Sequence, residues 1–287
     1  MSTQDLAIAP RAAAKPRAVI YRTKGRKHGP ITRLMSPGDM GEIVKPFVFL
    51  DHIDTQGLAR DKLPHFGLHP HSGIATLTWL FEGSFTYEDT LGRHGELHQE
   101  SVEWMQAGAG AWHGGGFGDA PRLRGFQLWV ALPPEAELGE AFSQYVVPQA
   151  VSRQGPVTVL MGQYEGATGA IAAPSPINYL AVRLKAGESW TYQPPRGHDV
   201  AFAAANTGRL RSSAAIEAGE FVAFEEGNKP LSFEAELDTD FVIGSALKHA
   251  HELVLGYYSV HTSAEALAQG EARIRELGQR LREQGRL

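Results

Sequence analysis

Twelve histidines occur in the 287 residues, and six of them, His65, His69, His71, His94, His98 and His113, fall between positions 65 and 113, where an even scatter would leave about two. Imidazole titrates near neutral pH and is the commonest metal ligand, so a local excess marks this segment for coordination or acid–base chemistry. His69-Pro70-His71 is a His-x-His pair. In extended backbone residues i and i+2 project to one face, which lets both rings meet one ion. Pro70 cannot donate to a sheet ladder, so the pair belongs at a strand start or an edge near a barrel mouth. His113 lies far enough downstream for two hairpins to intervene, and a neighbouring strand can bring it to the same place. Three neutral imidazoles with open positions suit Fe, Ni, Cu, Mn or Zn, and ligand softness does not choose among them. The plainer reading of a lone His-x-His, two solvated imidazoles, stands beside this one. His65, His94 and His98 are expected at the surface or behind the ligands, His94 within a Gly92-Arg93-His94-Gly95 turn. A second pair, His249-Ala250-His251, has no third histidine at comparable spacing and is expected to be solvated or hydrogen-bonded loop.

Strands must position these rings. From Ala18 to about Thr262 short apolar or alternating runs are broken by Gly, Pro, Asn and Asp, the signature of an all-β chain. In the run Thr76 to Glu82, Leu77, Trp79 and Phe81 fall on one face and Thr76 and Thr78 on the other. Further strands are expected at 45–50, 102–107, 125–132, 157–161, 178–184, 200–204, 221–225 and 241–245. In 125–132, Phe126, Leu128, Val130 and Leu132 alternate with Gln127, Trp129 and Ala131. Between Pro133 and Pro176 the pattern loosens, with a short helix expected at Leu138 to Tyr145. Ser263 can cap a helix with Leu267, Ile274, Leu277 and Leu281 on one stripe and Gly285 at its end. The expected organisation is a lobe at 18–132, a connection at 133–176, a second lobe at 177–262 and a helix at 263–285.

Composition narrows the function. A net charge of −5 gives no basic field to gather nucleic acid or an anionic membrane surface, so neither is expected as a direct partner. The absence of cysteine removes disulfides, thiolate nucleophiles and iron–sulfur clusters, leaving His and carboxylate to hold any metal. The glycine runs Gly108-Ala109-Gly110 and Gly114-Gly115-Gly116 lack the Lys-Ser/Thr of a phosphate loop and read as tight turns. The start, MSTQDLAIAPRAAAKPR, has no apolar core of a secretory signal. Arg11, Lys15 and Arg17 among alanines have the composition of a transit peptide, but Asp5 and two prolines argue against an amphipathic presequence. A cytoplasmic protein is expected.

Several motifs in order, Pro46-Phe47-Val48-Phe49-Leu50-Asp51-His52, His69-Pro70-His71-Ser72-Gly73-Ile74, Leu80-Phe81-Glu82-Gly83, Asp89-Thr90-Leu91-Gly92, Trp104 to His113 and Gln127-Leu128-Trp129-Val130, resemble the pirins, a family of bicupins. The likeness is close over 18–132 and in outline beyond. It implies two cupin barrels of double-stranded β-helix or jelly-roll form, followed by the helix. It also implies one divalent metal in the first barrel alone, iron(II) foremost, and for several members a quercetin 2,3-dioxygenase activity. The family's first two ligands fall on His69 and His71 and its third on His113. Pirins typically continue His-x-Glu, whereas this chain reads His113-Gly114-Gly115, and Ala75 stands where many pirins have Glu. Losing those acids deletes a ligand and a general base together. Glu82, Glu88, Glu96 and Glu103 are nearby, and alternation alone does not say which points inward. If position 115 shares the inward face of His113, Gly115→Glu restores the missing group and tightens metal binding.

Two functions follow from the resemblance. One is oxygen-dependent cleavage of a flavonol-like or other small aromatic substrate at the metal. The other is a non-enzymatic, metal- or redox-responsive regulator working through protein partners.

Overall fold

The computed structural model describes residues 16–287; Asp5, Arg11 and Lys15, on which the presequence reading turned, lie outside them. Two barrels of antiparallel strands are followed by a hairpin and the helix Ala264–Glu283. In the first barrel a seven-stranded sheet runs in the order Phe142–Val146, Val102–Gln106, Ile74–Glu82, Arg124–Ala131, Phe47–Asp54, Ile31–Met35, Arg26–His28. Its companion has four strands, Phe66–His71, Ala111–Phe117, Ser84–Asp89 and His94–His98. The second barrel repeats the plan, its seven-stranded sheet centred on Val200–Ala205, Thr239–Ala246 and Ile177–Leu184. Among the described residues no helix is long and apolar enough to cross a membrane.

Period-two alternation decides what each sheet face meets. Leu77, Trp79, Phe81, Phe126, Leu128 and Val130 of the first large sheet share one buried cluster with Tyr179, Phe202, Phe221 and Val242 of the second. The two large sheets therefore pack against each other, with Phe47 edge-on to Phe202 at 5.0 Å between ring centres. Each large apolar side chain buried there contributes about 1.5–3 kcal/mol, so the barrels are joined by a core that owes nothing to the histidines. Thr76 and Thr78, expected to face away from Leu77 and Trp79, do so and are buried too, inside the first barrel. The second barrel's interior is filled by Val159, Leu180, Val182, Trp190, Phe233 and Phe241.

Strand pairing departs from the expected boundaries at three places. Val19–Thr23 lies in the second barrel's sheet, paired with Phe221–Phe224, rather than in the first lobe. Phe142–Val146 is no helix but a strand on the edge of the first barrel, paired with Val102–Gln106. Tyr145 secures that edge by stacking on Tyr87 at 3.7 Å, a tertiary contact that local pattern does not reveal. After the second barrel the hairpin Val254–Gly256 and Ser259–His261 crosses back to the first, where Ser259 bridges Ser72. The helix follows, capped by Ser263 Oγ, which accepts from the Ala266 amide, and anchored where Trp112 Nε1 donates to the Ile274 carbonyl at 2.9 Å.

Candidate metal centre

Antiparallel register brings the three expected histidines together. His113 on Ala111–Phe117 is the cross-strand partner of His69, and His71 lies two residues further along the same strand face. Ring centres are separated by 4.6 Å for His69 and His113, 5.0 Å for His71 and His113, and 5.2 Å for His69 and His71. One ring nitrogen from each lies within 4.8 Å of the others, and His71 Nε2 stands 3.2 Å from His113 Nε2. Among the described residues this is the group of histidine and carboxylate side chains with the spacing to hold a metal ion.

The outward nitrogens fix the tautomers. His69 Nδ1 lies 3.0 Å from the Gly67 carbonyl, His71 Nδ1 3.1 Å from the Tyr258 carbonyl, and His113 Nδ1 3.5 Å from Glu103 Oε1. A carbonyl or carboxylate oxygen only accepts, so the hydrogen of each neutral ring belongs on Nδ1 and the lone pair on Nε2. Burial, reinforced by the neighbouring imidazoles, pushes His69 down to about 4 and His71 well below the usual histidine range. Both rings are therefore neutral at pH 7, and the Nε2 lone pairs of His71 and His113 face each other across 3.2 Å. Two such lone pairs repel unless a cation lies between them. Imidazoles sharing one ion at about 2.1 Å would stand roughly 3.0–3.4 Å apart, so the His71–His113 pair already has the spacing of two ligands on one divalent metal, with His69 alongside as the third donor. Partners on the outer nitrogens are the usual means of aiming such ligands.

A polar row leads away from the histidines across the inner face of the large sheet. Register places Tyr145 opposite Glu103, Glu103 opposite Thr78, Thr78 opposite Gln127, Gln127 opposite Asp51 and Asp51 opposite Arg33. Glu103 is buried beside His113; burial raises its pKa, but His113 and Thr78 outweigh that and hold it below the usual range, as the carboxylate. Arg33 holds Asp51 with two bonds of 3.0 and 3.1 Å and lies 4.2 Å over the ring of Phe49. Above the row opens a cavity of about 370 Å³ with aromatic walls, Phe49, Phe66, Phe85, Trp129 and Tyr258, and with His69 and His113 in its lining.

The other expectations fare differently. His65 is exposed at the cavity rim, and His94 and His98 are exposed. His249 and His251 face each other at 5.3 Å without a third ligand, although His249 is half-buried rather than solvated. Gly114-Gly115-Gly116 is no turn but part of the Ala111–Phe117 strand. Nor does position 115 share the inward direction of His113. The ladder to Phe66–His71 shifts register between them while that to Ser84–Asp89 runs on unbroken, and although the Gly115 backbone borders the cavity, a Cβ there would stand 1.8 Å from the Thr86 carbonyl oxygen. A glutamate there would collide with the neighbouring strand, so Gly115→Glu is not a route to a fourth ligand. Of the four acids that alternation left unoriented, Glu103 is the one beside His113, and Tyr258 is a contributor that the sequence reading missed. Glu103 could have been oriented by its neighbours Val102 and Trp104, which both enter the inter-barrel core and leave it the opposite face. Tyr258 had no signal in the sequence, because its backbone arrives from beyond the second barrel.

The pirin family model matches residues 30–130. A protein of Pseudomonas aeruginosa named "Putative quercetin 2,3-dioxygenase" is 34% identical over 185 residues, 59% of this chain and 63% of that protein. This chain thus aligns with under two thirds of that relative's length. A pirin-like protein of Caulobacter vibrioides is 29% identical over 213 residues, 70% of this chain and 74% of its own. Among solved structures, a quercetin 2,3-dioxygenase from Acinetobacter baumannii superposes with a TM-score of 0.78 at 22% identity, over 90% of this chain and 96% of that one. The bacterial pirin YhhW of Escherichia coli, solved with nickel(II), gives 0.62 at 16% identity over 82% and 99%. At such identities these structures speak for the bicupin fold alone. The residues that match the pirin model include the strands that carry His69, His71 and His113, and the similarity to pirin-like relatives runs over a longer stretch of the chain than that model.

Proposed function

We propose that the first barrel holds one divalent metal on His69, His71 and His113 and opens dioxygen-dependent cleavage to a planar, hydroxylated aromatic substrate of the flavonol type. The convergence of the inward Nε2 lone pairs beside an aromatic-walled cavity carries this reading. The names of relatives support the substrate class, and the nickel-bound neighbour supports the metal site. We assign iron(II), with Ni, Cu, Mn and Zn open to the same imidazole set. Such an ion would supply Lewis acidity toward a substrate hydroxyl oxygen and, if redox-active, an electron path to dioxygen.

The chain's own residues do the rest. Phe49 and Trp129, stacked at 4.0 Å, offer with Phe66 and Phe85 flat apolar surface to a ring system and keep water from it. Gln127 and Arg33 present N–H donors along the polar row for a carbonyl or hydroxyl oxygen. Glu103, ionised and bordering the cavity, is placed to take a hydroxyl proton on its carboxylate oxygen, the task that Gly115 leaves undone. Oxygen uptake with quercetin, measured after loading the purified protein with iron(II), tests the reading. Turnover that vanishes in His69→Ala is expected; no uptake by a fully loaded wild type would refute the oxygenase assignment.

A further inference from the structure

The site of the first barrel is finished by chain that arrives after the second. Tyr258, with φ at +53°, turns its carbonyl onto His71 Nδ1 at 3.1 Å. The hairpin that carries it has only three residue pairs and needs an anchor. That anchor is a buried polar network. Glu137, on the first barrel's connection, accepts from the Thr262 amide at 2.7 Å and the Thr262 hydroxyl at 2.6 Å, and faces His261 Nδ1 at 3.1 Å. His261 Nε2 lies 3.0 Å from Ser72 Oγ, and Ser72 donates to Ser259 Oγ at 2.8 Å. Ser72 follows His71 in sequence and Ser259 follows Tyr258, so the network brackets the His71–Tyr258 contact.

Ser72, His261 and Glu137 stand in the order of a hydrolase triad, but the arrangement is closed to substrate. Ser72 is 0% and His261 1% exposed, and the serine's hydrogen goes to Ser259. The C-terminal helix presses so close that a Cβ on Gly270 would stand 2.5 Å from both Ser72 Oγ and His261 Nε2. What such a network can do is hold position.

We propose that Glu137 is a positioning residue for the metal centre: by gripping Thr262 and His261 it seats the Tyr258 carbonyl against His71 Nδ1 and so aims His71 Nε2 at the cavity. This rests on the metal reading above. Glu137→Gln keeps the shape but removes the charge that faces His261 and turns one acceptor oxygen into a donor, set against the Thr262 amide and His261 Nδ1 if it replaces Oε2 and against the Thr262 hydroxyl if it replaces Oε1. Outer partners of metal ligands are typically worth about 10–100-fold in affinity. Nickel(II) titration of the full chain, with the ligand-field spectrum of the loaded protein, reads the effect. Glu137→Gln should lose at least about tenfold in nickel affinity and shift the spectrum, because a released His71 ring changes the ligand field. Thr262→Val, which removes one hydroxyl bond, should move both in the same direction by less, and it serves if Glu137→Gln does not fold. A folded variant of either kind with the wild-type affinity and spectrum would overturn the role of Glu137 alone. A wild type that takes up no nickel would overturn the metal reading and the proposal with it.

Discussion

Replacing Gly115 by alanine probes the centre at its most crowded point. The added Cβ would stand 1.8 Å from the Thr86 carbonyl oxygen and 2.8 Å from Phe85 Cε1, against the 3.0 Å below which real Cβ contacts essentially never occur. The obstacle is backbone, so the strands Ala111–Phe117 and Ser84–Asp89 would have to part by about 1.2 Å. Ladder bonds near 2.9 Å stretched that far cease to be hydrogen bonds. Overpacking of this kind costs about 1–3 kcal/mol, and each lost bond adds roughly 0.5–1.5 kcal/mol. Against this stands a gain of about 0.4–1 kcal/mol from restricting the unfolded chain. A net loss of about 2–3 kcal/mol corresponds to roughly 4–12 °C in Tm for a domain of this size. Gly116→Ala is the control, because its Cβ would meet only Thr86 Oγ1 at 3.4 Å and His65 Nδ1 at 3.6 Å and should leave Tm level or slightly raised. Thermal unfolding of both variants, metal-free, decides the matter. If the two melt within a degree of each other, the close approach of position 115 to the Thr86 carbonyl is wrong, and position 115 returns as a place for a fourth ligand.

Two further outcomes follow from the same geometry. Glu103→Gln should fold and lose about 10–100-fold in nickel(II) affinity by calorimetry, since an amide cannot match the carboxylate as acceptor for the His113 ring; undiminished affinity would remove Glu103 from the centre. Metal-free protein should weaken on mild acidification. His69 sits at about 4 when folded and near 6.5 when unfolded, so the unfolded chain takes the proton first; the stability tied to His69 is whole above pH 6.5 and drains as pH falls toward 4. By pH 5 the loss tied to His69 is about 2 kcal/mol, so His69→Ala should make the profile shallower by about that much while buried His71 keeps a share of the slope; an equally steep profile in that variant would place the titration elsewhere.

Alternation carried most of the fold. The runs around Leu77-Trp79-Phe81 and Phe126-Leu128-Val130 alternate because one face meets the other barrel and the opposite face the cavity. The same rule put His69 and His71 on one side of a strand. It failed where a neighbour distant in sequence decides the outcome. Phe142–Val146 is a strand because Val102–Gln106 offers it an edge, and Val19–Thr23 joins the second barrel because Phe221–Phe224 does. Position 115 escaped because alternation says nothing of a neighbouring strand's backbone: the ladder to Phe66–His71 shifts after His113, and the Thr86 carbonyl occupies the place of a Cβ. The tautomer of His71 was beyond reach, since its outer partner is a backbone carbonyl 187 residues away.

Metal content per chain tests the central claim most directly. Purified protein, stripped and then equilibrated with nickel(II) or iron(II), should retain one equivalent by elemental analysis. The His69→Ala, His71→Ala double variant should retain none while keeping its β-rich circular dichroism, because the inter-barrel core of Trp79, Phe126 and Phe202 is untouched. A double variant that still held a full equivalent would contradict the account, as would a second equivalent in the wild type that was lost on changing His249.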